Sequence, residues 1–187
     1  MGSEGDKEPM NNHDDWEEVW NARLQALEQV LGPCTQTYHA LIPLYLGGQA
    51  DVVAFGEHLG GVVYVTAELT GNREAPYADY ELMICDRGQD TWGADAISSI
   101  AAYAQETGIS VGDTMDIEPS VPKGSTIKAL IFDNYSTFAL FGETCNLRLC
   151  IGITQEELQF KMKYGSNALL ERLKREKIYP FTDLYRR

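Results

Sequence analysis

The sequence predicts an α+β fold, an α/β sandwich in which one mixed, largely antiparallel sheet is covered by helices in a single domain. Three observations point there. Apolar residues alternate with period two in several short runs through the middle of the chain, the mark of half-buried strands. Helical periodicity occupies both ends and one central segment. Strands and helices do not alternate regularly, which argues against a doubly wound parallel sheet.

The elements follow in order. Residues 1–13 are acidic, polar and without periodicity, so a disordered tail is expected there, with the domain over 14–187. From Asp14 to Leu31, Trp16, Trp20, Leu24, Leu27 and Leu31 recur at helical spacing, and Gly32-Pro33 stops the helix. Two tryptophans on such a stripe read as core, or as part of a partner groove. The stretch YHALIPLYLGGQADVVAF reads as an extended segment, a turn at Gly47-Gly48 and a short strand at Val52 and Val53. Gly61–Leu69 is a strand with Val63, Val65, Ala67 and Leu69 on one face, and GNREAP is a polar turn. Tyr80–Cys85 is a strand that opposes Tyr80, Leu82 and Ile84 to Glu81, Met83 and Cys85. Asp95–Thr107 is a helix with the stripe Ile97, Ile100, Ala101 and Ala104, ended by Gly108.

Beyond it, DTMDIEP reads as a short strand and SVPKGS as a turn. Ile127–Asn134 and Phe138–Gly142 read as two strands around a turn. NLRLCIGITQEEL is a strand running into a helix: Leu147, Leu149, Ile151 and Ile153 alternate with Asn146, Arg148, Cys150 and Gly152. Thr154 stands three residues before Glu157, the spacing of a capping box. That helix runs from Gln155 to about Tyr164 and stops at Gly165, and Ser166 is placed to cap a last helix carrying Leu169, Leu170 and Leu173.

The 187 residues, 44% hydrophobic and 23% charged, suit one globular domain with a sizeable core. No apolar run approaches the ~20 residues that span a bilayer. The acidic start is unlike a secretory signal, and a cytoplasmic setting is expected. The net charge of −13 divides unevenly, with −6 over residues 1–18, −10 over 19–153 and +3 over 154–187. An acidic body without a basic stripe excludes ordinary nucleic-acid binding and suits either solubility or attraction to a basic protein. Cys34, Cys85, Cys145 and Cys150 form no CxxC and no cluster with His13, His39 or His58. Cys145 and Cys150, five apart on one strand, face opposite ways, so free thiols are expected.

Catalytic signals are sparse. GxSxG, HExxH, GxGxxG and a P-loop are all absent, and no metal or cofactor is expected. The nearest acid–base cluster is Asp51, Glu57 and His58, which supports a small hydrolase or metal-assisted enzyme as the alternative reading; a solvated loop is the plainer one. His39, in an apolar run, reads as a hydrogen-bonded core histidine. Ten tyrosines favour a recognition surface. Tyr103 stands off the buried helical stripe, at the edge of the packed face, where its ring either contacts a partner or caps the core at its rim.

Five segments together resemble the suppressor-of-fused domain family. LGGQADVVAF is similar to its early glycine-pair motif, and YELMIC to its YEL strand. TWGADAISSIAAYAQETG with the following GDT resembles its AxY helix and G-D turn. LRLCIGITQEEL resembles its strand-to-helix signature and FTDLYRR its closing T-D-x-x-R element. The resemblance covers roughly residues 37–187 and implies an α/β sandwich without catalytic apparatus. Eukaryotic members hold transcription factors by clamping a peptide as an added strand between two domains, of which this chain matches the first. Stand-alone versions are typically bacterial and look like immunity proteins against polymorphic toxins. The resemblance implies partner-binding roles for Tyr103 and Asp113 and a protein partner, plausibly a basic toxin domain.

Overall fold

A computed structural model describes residues 12–71, 78–87 and 91–186 of the chain. The expected tail at 1–13 falls almost entirely outside these residues, as does the GNREAP turn apart from Gly71. The described residues form four α-helices and a seven-stranded open sheet in one domain. The helices are α1 (Asn12–Leu31), α2 (Trp92–Thr107), α3 (Gln155–Tyr164) and α4 (Ser166–Arg175). The strands are β1 (Gln36–Tyr38), β2 (Val52–Phe55), β3 (Val62–Thr66), β4 (Tyr80–Asp86), β5 (Thr114–Asp116), β6 (Ile127–Leu140) and β7 (Glu143–Thr154). Their order is β1-β2-β3-β4-β7-β6-β5, antiparallel throughout except for the parallel β4–β7 pair. The sheet is therefore mixed and largely antiparallel.

Both faces of the sheet are covered. α1 and α4 place Leu27, Leu31, Leu169 and Leu173 on the face formed by Phe55, Val65, Met83, Ile131, Leu149 and Ile151. α2 places Ile97, Ala101 and Ala104 on the opposite face, against Tyr64, Leu82, Ile84, Leu130 and Phe132. Cys145 packs in the first core and Cys150 in the second, on opposite faces as their odd spacing predicts, and all four cysteines are free.

Coverage on both faces buries polar strand residues as well. Glu81 on β4 is fully buried and accepts hydrogen bonds from Thr66 Oγ1 (2.6 Å), Thr70 N (2.8 Å), Thr70 Oγ1 (2.7 Å) and Leu69 N (3.2 Å). Its counter-charge is Arg23 of α1, whose Nε lies 3.3 Å from Oε1, while its terminal nitrogens donate to Ala67 O and Thr70 O. Burial raises the Glu81 carboxyl above the usual range, opposed by Arg23 and the hydroxyl donors. Thus α1 is fixed to the sheet by a satisfied ion pair as well as by leucines.

Four expectations need correction. Ile127–Leu140 is one 14-residue strand, with no turn at Tyr135-Ser136-Thr137. A register shift between Asn134 and Ser136 accommodates the polar interruption, and the reversal comes later at Phe141 and Gly142, both with positive φ as a tight hairpin turn requires. Of the extended segment before β2 only Tyr38 belongs to a strand, as the end of β1; Leu44–Leu46 is a 3-10 turn, and Leu41, Ile42, Tyr45 and Leu46 are exposed. Trp16 is not core: it stacks at 5.6 Å on Trp20, outside the buried stripe, and Arg23 occupies that stripe instead. Gly165, not Ser166, precedes α4 as its cap, because the Ser166 hydroxyl donates to Gly112 O at 2.7 Å.

The capping box forms. Thr154 Oγ1 accepts from Glu157 N, and Glu157 Oε2 accepts from Thr154 N at 2.8 Å. Glu157 also receives both terminal nitrogens of Arg186, one of which donates to Gly152 O at 2.8 Å as well. Thr182 bridges the point where β4 and β7 separate, donating its N–H to Cys85 O and accepting from Gly152 N, each at 2.8 Å. A Cβ on Gly152 would stand 2.8 Å from the Thr182 methyl, so that bridge requires glycine. The T-D-x-x-R element is thereby a structural clasp.

Candidate functional site

A groove of about 690 Å³ opens between α2 and the edge strand β5. Ser99, Ile100 and Tyr103 form its helical wall; Gly108 and Ile109, after the helix, close one end. Asp113 and the whole of β5 form the other wall, Phe132 of β6 the floor, and Lys161 of α3 stands at the rim. Tyr103 and Asp113, ten residues apart in sequence, therefore line the same groove.

Local chemistry builds each wall. Helical spacing turns Ala101 and Ala104 into the core and leaves Tyr103 51% exposed on the groove wall. At the helix end, Tyr80 threads a hydroxyl between two backbone groups, donating to Ala104 O (3.2 Å) and accepting from Ile109 N (2.8 Å). Burial raises that phenol above its ordinary range, against the opposing pull of the Ile109 N–H and the Arg148 charge. Asp113 Oδ2 accepts from Ser110 N at 2.8 Å, fixing the turn that leads into β5. Gly112 in this turn has φ +84° and would set a Cβ 2.9 Å from Ser166, so the turn requires glycine on both counts. Lys161 Nζ donates to Thr114 Oγ1 at 3.3 Å, and Trp92 Nε1 to Ser120 O at 2.9 Å; together they tie α3 and the start of α2 to the β5 segment.

β5 is the last strand of the sheet, hydrogen-bonded on one side only, to β6. Its outer edge is a row of main-chain donors and acceptors beside an aromatic ring and a carboxylate. Such an edge can take an extended segment as an added strand.

The alternative cluster is not brought together as an acid–base site. Asp51 Oδ2 lies 2.7 Å from His39 Nδ1, and Oδ1 accepts from Ala40 N at 2.8 Å. His58 instead meets the Tyr135 hydroxyl at 2.8 Å, and partial burial lowers its pKa. Glu57 is exposed and faces neither in any described contact. His39 is exposed rather than core, correcting that expectation, though it is hydrogen-bonded. His39 borders a smaller cavity of about 140 Å³ with Asp95 and Ser98, whose hydroxyl donates to Ala50 O. Among the described residues, no group of three or more His, Cys, Asp or Glu is placed to hold a metal ion, and no helix is long and apolar enough to cross a membrane.

A sequence model of the suppressor of fused protein family (SUFU) matches residues 52–187. The chain belongs to the suppressor of fused family. The match takes in the groove, the edge strand and the C-terminal clasp. Among solved structures, the chain is similar to a chain of the Sufu–Fu complex, with a TM-score of 0.72 at 14% identity over 90% of this chain and 91% of that one. A suppressor of fused homologue from Neisseria gonorrhoeae gives a TM-score of 0.68 at 14% identity, covering 91% of this chain and 96% of that one. Drosophila Suppressor of Fused gives 0.66 at 14% identity, covering 93% of this chain but 49% of the other. The chain thus spans about half the length of that two-fold larger relative. No match is found among the curated proteins. At these identities the structural likenesses establish the fold, and family membership makes the chain a protein-interaction module in the broad sense.

Sequence reasoning missed several groove residues. Met115, Phe132 and Lys161 come from three separate elements, and only the β5–β6–β7 hairpin order and the α3 packing bring them to one place.

Proposed function

We propose that this suppressor of fused domain is a non-enzymatic binding and neutralising module, and that its partner is a basic toxin domain docked in the α2–β5 groove. The observation that carries the reading is the convergence of exposed Tyr103, Asp113 and an open sheet edge on one groove. An aromatic ring with a polar tip supplies contact area at little entropic cost, and an edge strand supplies main-chain hydrogen bonds. A net charge of −13 favours a basic partner and speeds its encounter at low salt. Four free thiols, three of them buried, suit a reducing cytoplasm.

The test is protection. The gene immediately upstream should encode a protein with a toxic C-terminal domain; co-expression of this chain should restore growth, and Tyr103→Ala should lose both protection and binding. Full protection by Tyr103→Ala and by a variant with Asp113→Ala would sink the groove as the binding surface. Turnover of a substrate that is abolished by His58→Ala in a folded protein would replace the binding reading with the enzymatic one.

A further inference from the structure

The groove has two sides, and β5 divides them. Ile100 and Tyr103 belong to α2, which covers one face of the sheet; Lys161 belongs to α3, whose Leu158 and Phe160 pack on the other. A cavity lined by both helices, with Thr114, Met115 and Asp116 between them, runs around the outer edge of β5. Pairing with β6 assigns each β5 side chain to a side. Met115 stands opposite Leu130 and packs with the core under α2. Thr114 and Asp116 stand opposite Ile131 and Ala129, both of the other core, and Thr114 Oγ1 accepts from Lys161 Nζ.

The main chain is sorted by the same alternation. Phe132 N donates to Asp113 O at 3.2 Å and Ile117 N to Lys128 O at 3.1 Å, so Asp113, Met115 and Ile117 turn their pairing groups inward to β6. The N–H and C=O of Thr114 and Asp116 therefore point outward, and among the described residues no hydrogen bond engages them. An extended chain laid on those groups has one arrangement of side chains, whichever way it runs. The residue level with Met115 turns its side chain to the α2 side, between Met115, Ile100 and Tyr103. Its two neighbours turn theirs to the α3 side, beside Thr114, Asp116 and Lys161.

We propose that the groove selects an extended polar–apolar–polar segment of its partner, with the central large apolar side chain held against Tyr103, Ile100 and Met115 and the main chain bonded to Thr114 and Asp116. The proposal rests on the binding role given to the groove above and adds the chemistry that decides which segment is taken. An apolar side chain level with Met115 leaves water for an apolar wall. Slipped by one residue, the same segment turns that side chain onto Asp116 and Lys161 and strips their hydration, so the register is fixed by exclusion as well as by contact.

The experiment is selection of a displayed random dodecapeptide library on the wild-type chain, followed by affinity measurements on the tightest peptide. The expected result is a Leu, Ile, Met or Phe at one fixed position with a polar residue on each side. Its change to Ala should weaken binding to the wild type at least about tenfold, and binding to Tyr103→Ala by less than about threefold, because the ring it packs on is gone. Methylating the peptide's main-chain nitrogens one at a time should weaken binding at alternate positions through the triplet and spare those between, since only alternate N–H groups face β5. Binders that need Tyr103 but show no fixed apolar position, or a methylation scan without alternation, overturn the proposal and leave the groove standing as the binding surface. Equal losses in the two proteins on the change to Ala overturn it in the same way. If no peptide is enriched, or if binders ignore Tyr103→Ala, the groove reading fails and the proposal with it.

Discussion

At the start of α3 the polar side chains pair with one another inside the domain, the Arg186 Nε excepted: Thr154 and Glu157 cap the helix, Arg186 returns from the C-terminus to the same carboxylate, and Thr182 joins β4 to β7. Across α2 the groove is built from the same kinds of residue in the opposite condition. Tyr103 is half exposed, Asp113 commits only one oxygen to its own turn, and among the described residues β5 is paired on one side only. Both regions lie within segments that resemble the family's motifs, so motif content alone does not separate them. What separates them is satisfaction. A network closed on itself contributes to stability and gains nothing from a partner, whereas open groups beside an open edge gain from one.

That contrast is broken or sharpened by substitutions on the two sides. The largest effect is expected in the closed Arg23–Glu81 network. Arg23→Ala leaves Glu81 buried without its cation and should cost about 3–5 kcal/mol, read as a melting temperature lower by roughly 10 °C or more. Arg186→Ala removes charge-assisted bonds to Glu157 and should cost about 2–3 kcal/mol while leaving partner affinity within about twofold. A loss of affinity with unchanged stability there would erase the distinction between the two regions.

Tyr103→Ala should do the reverse. Its stability should stay within about 0.5 kcal/mol of wild type, and its affinity for the neighbour-encoded partner should fall by about 2 kcal/mol, roughly thirtyfold, in calorimetry. Thr154→Ala removes the cap and should cost about 1 kcal/mol in denaturant unfolding, with binding intact.

The smallest effect concerns Glu68, whose carboxyl is raised by burial and by Asp51 and Glu81, against the Asp51 N–H bond and Arg23. A raised carboxyl pKa favours the folded state fully below the unfolded value and loses that contribution as pH rises through the folded value. Glu68→Gln should therefore raise the melting temperature at neutral pH, and the gain should shrink as pH falls toward the ordinary glutamate range. A gain independent of pH would assign the effect to something other than the buried charge.

The legible parts of this molecule were local. The capping box at Thr154 and Glu157, the α2 stripe and the alternation of β4 are all set by spacing within about ten residues. What the sequence hid depends on distant partners. Glu81 alternates with apolar neighbours like any solvent-facing strand residue, and only the helix layer carrying Arg23 makes that face a second interior. Tyr135-Ser136-Thr137 interrupts the apolar runs like a turn, yet pairing with β7 through a bulge carries the strand past it. His39 lies in an apolar run that turns out to be an exposed loop held by Asp51. For the site, Tyr103 stood out by its place off the α2 stripe and Asp113 was reached through resemblance, and the groove they share is an outcome of topology. Arg148 read as one polar residue on the mixed face of a strand; its burial against the Tyr80 ring is visible only once the sheet is assembled.

The most direct test of the groove as the docking surface is amide hydrogen exchange across Thr114–Asp116, with and without the tightest displayed peptide. The account predicts that bound peptide slows exchange along β5 by at least about tenfold, as expected when an open edge gains a strand, with smaller protection at Gly108 and Ile109. Protection confined to the exposed Leu41–Leu46 loop, with β5 unchanged, would contradict it.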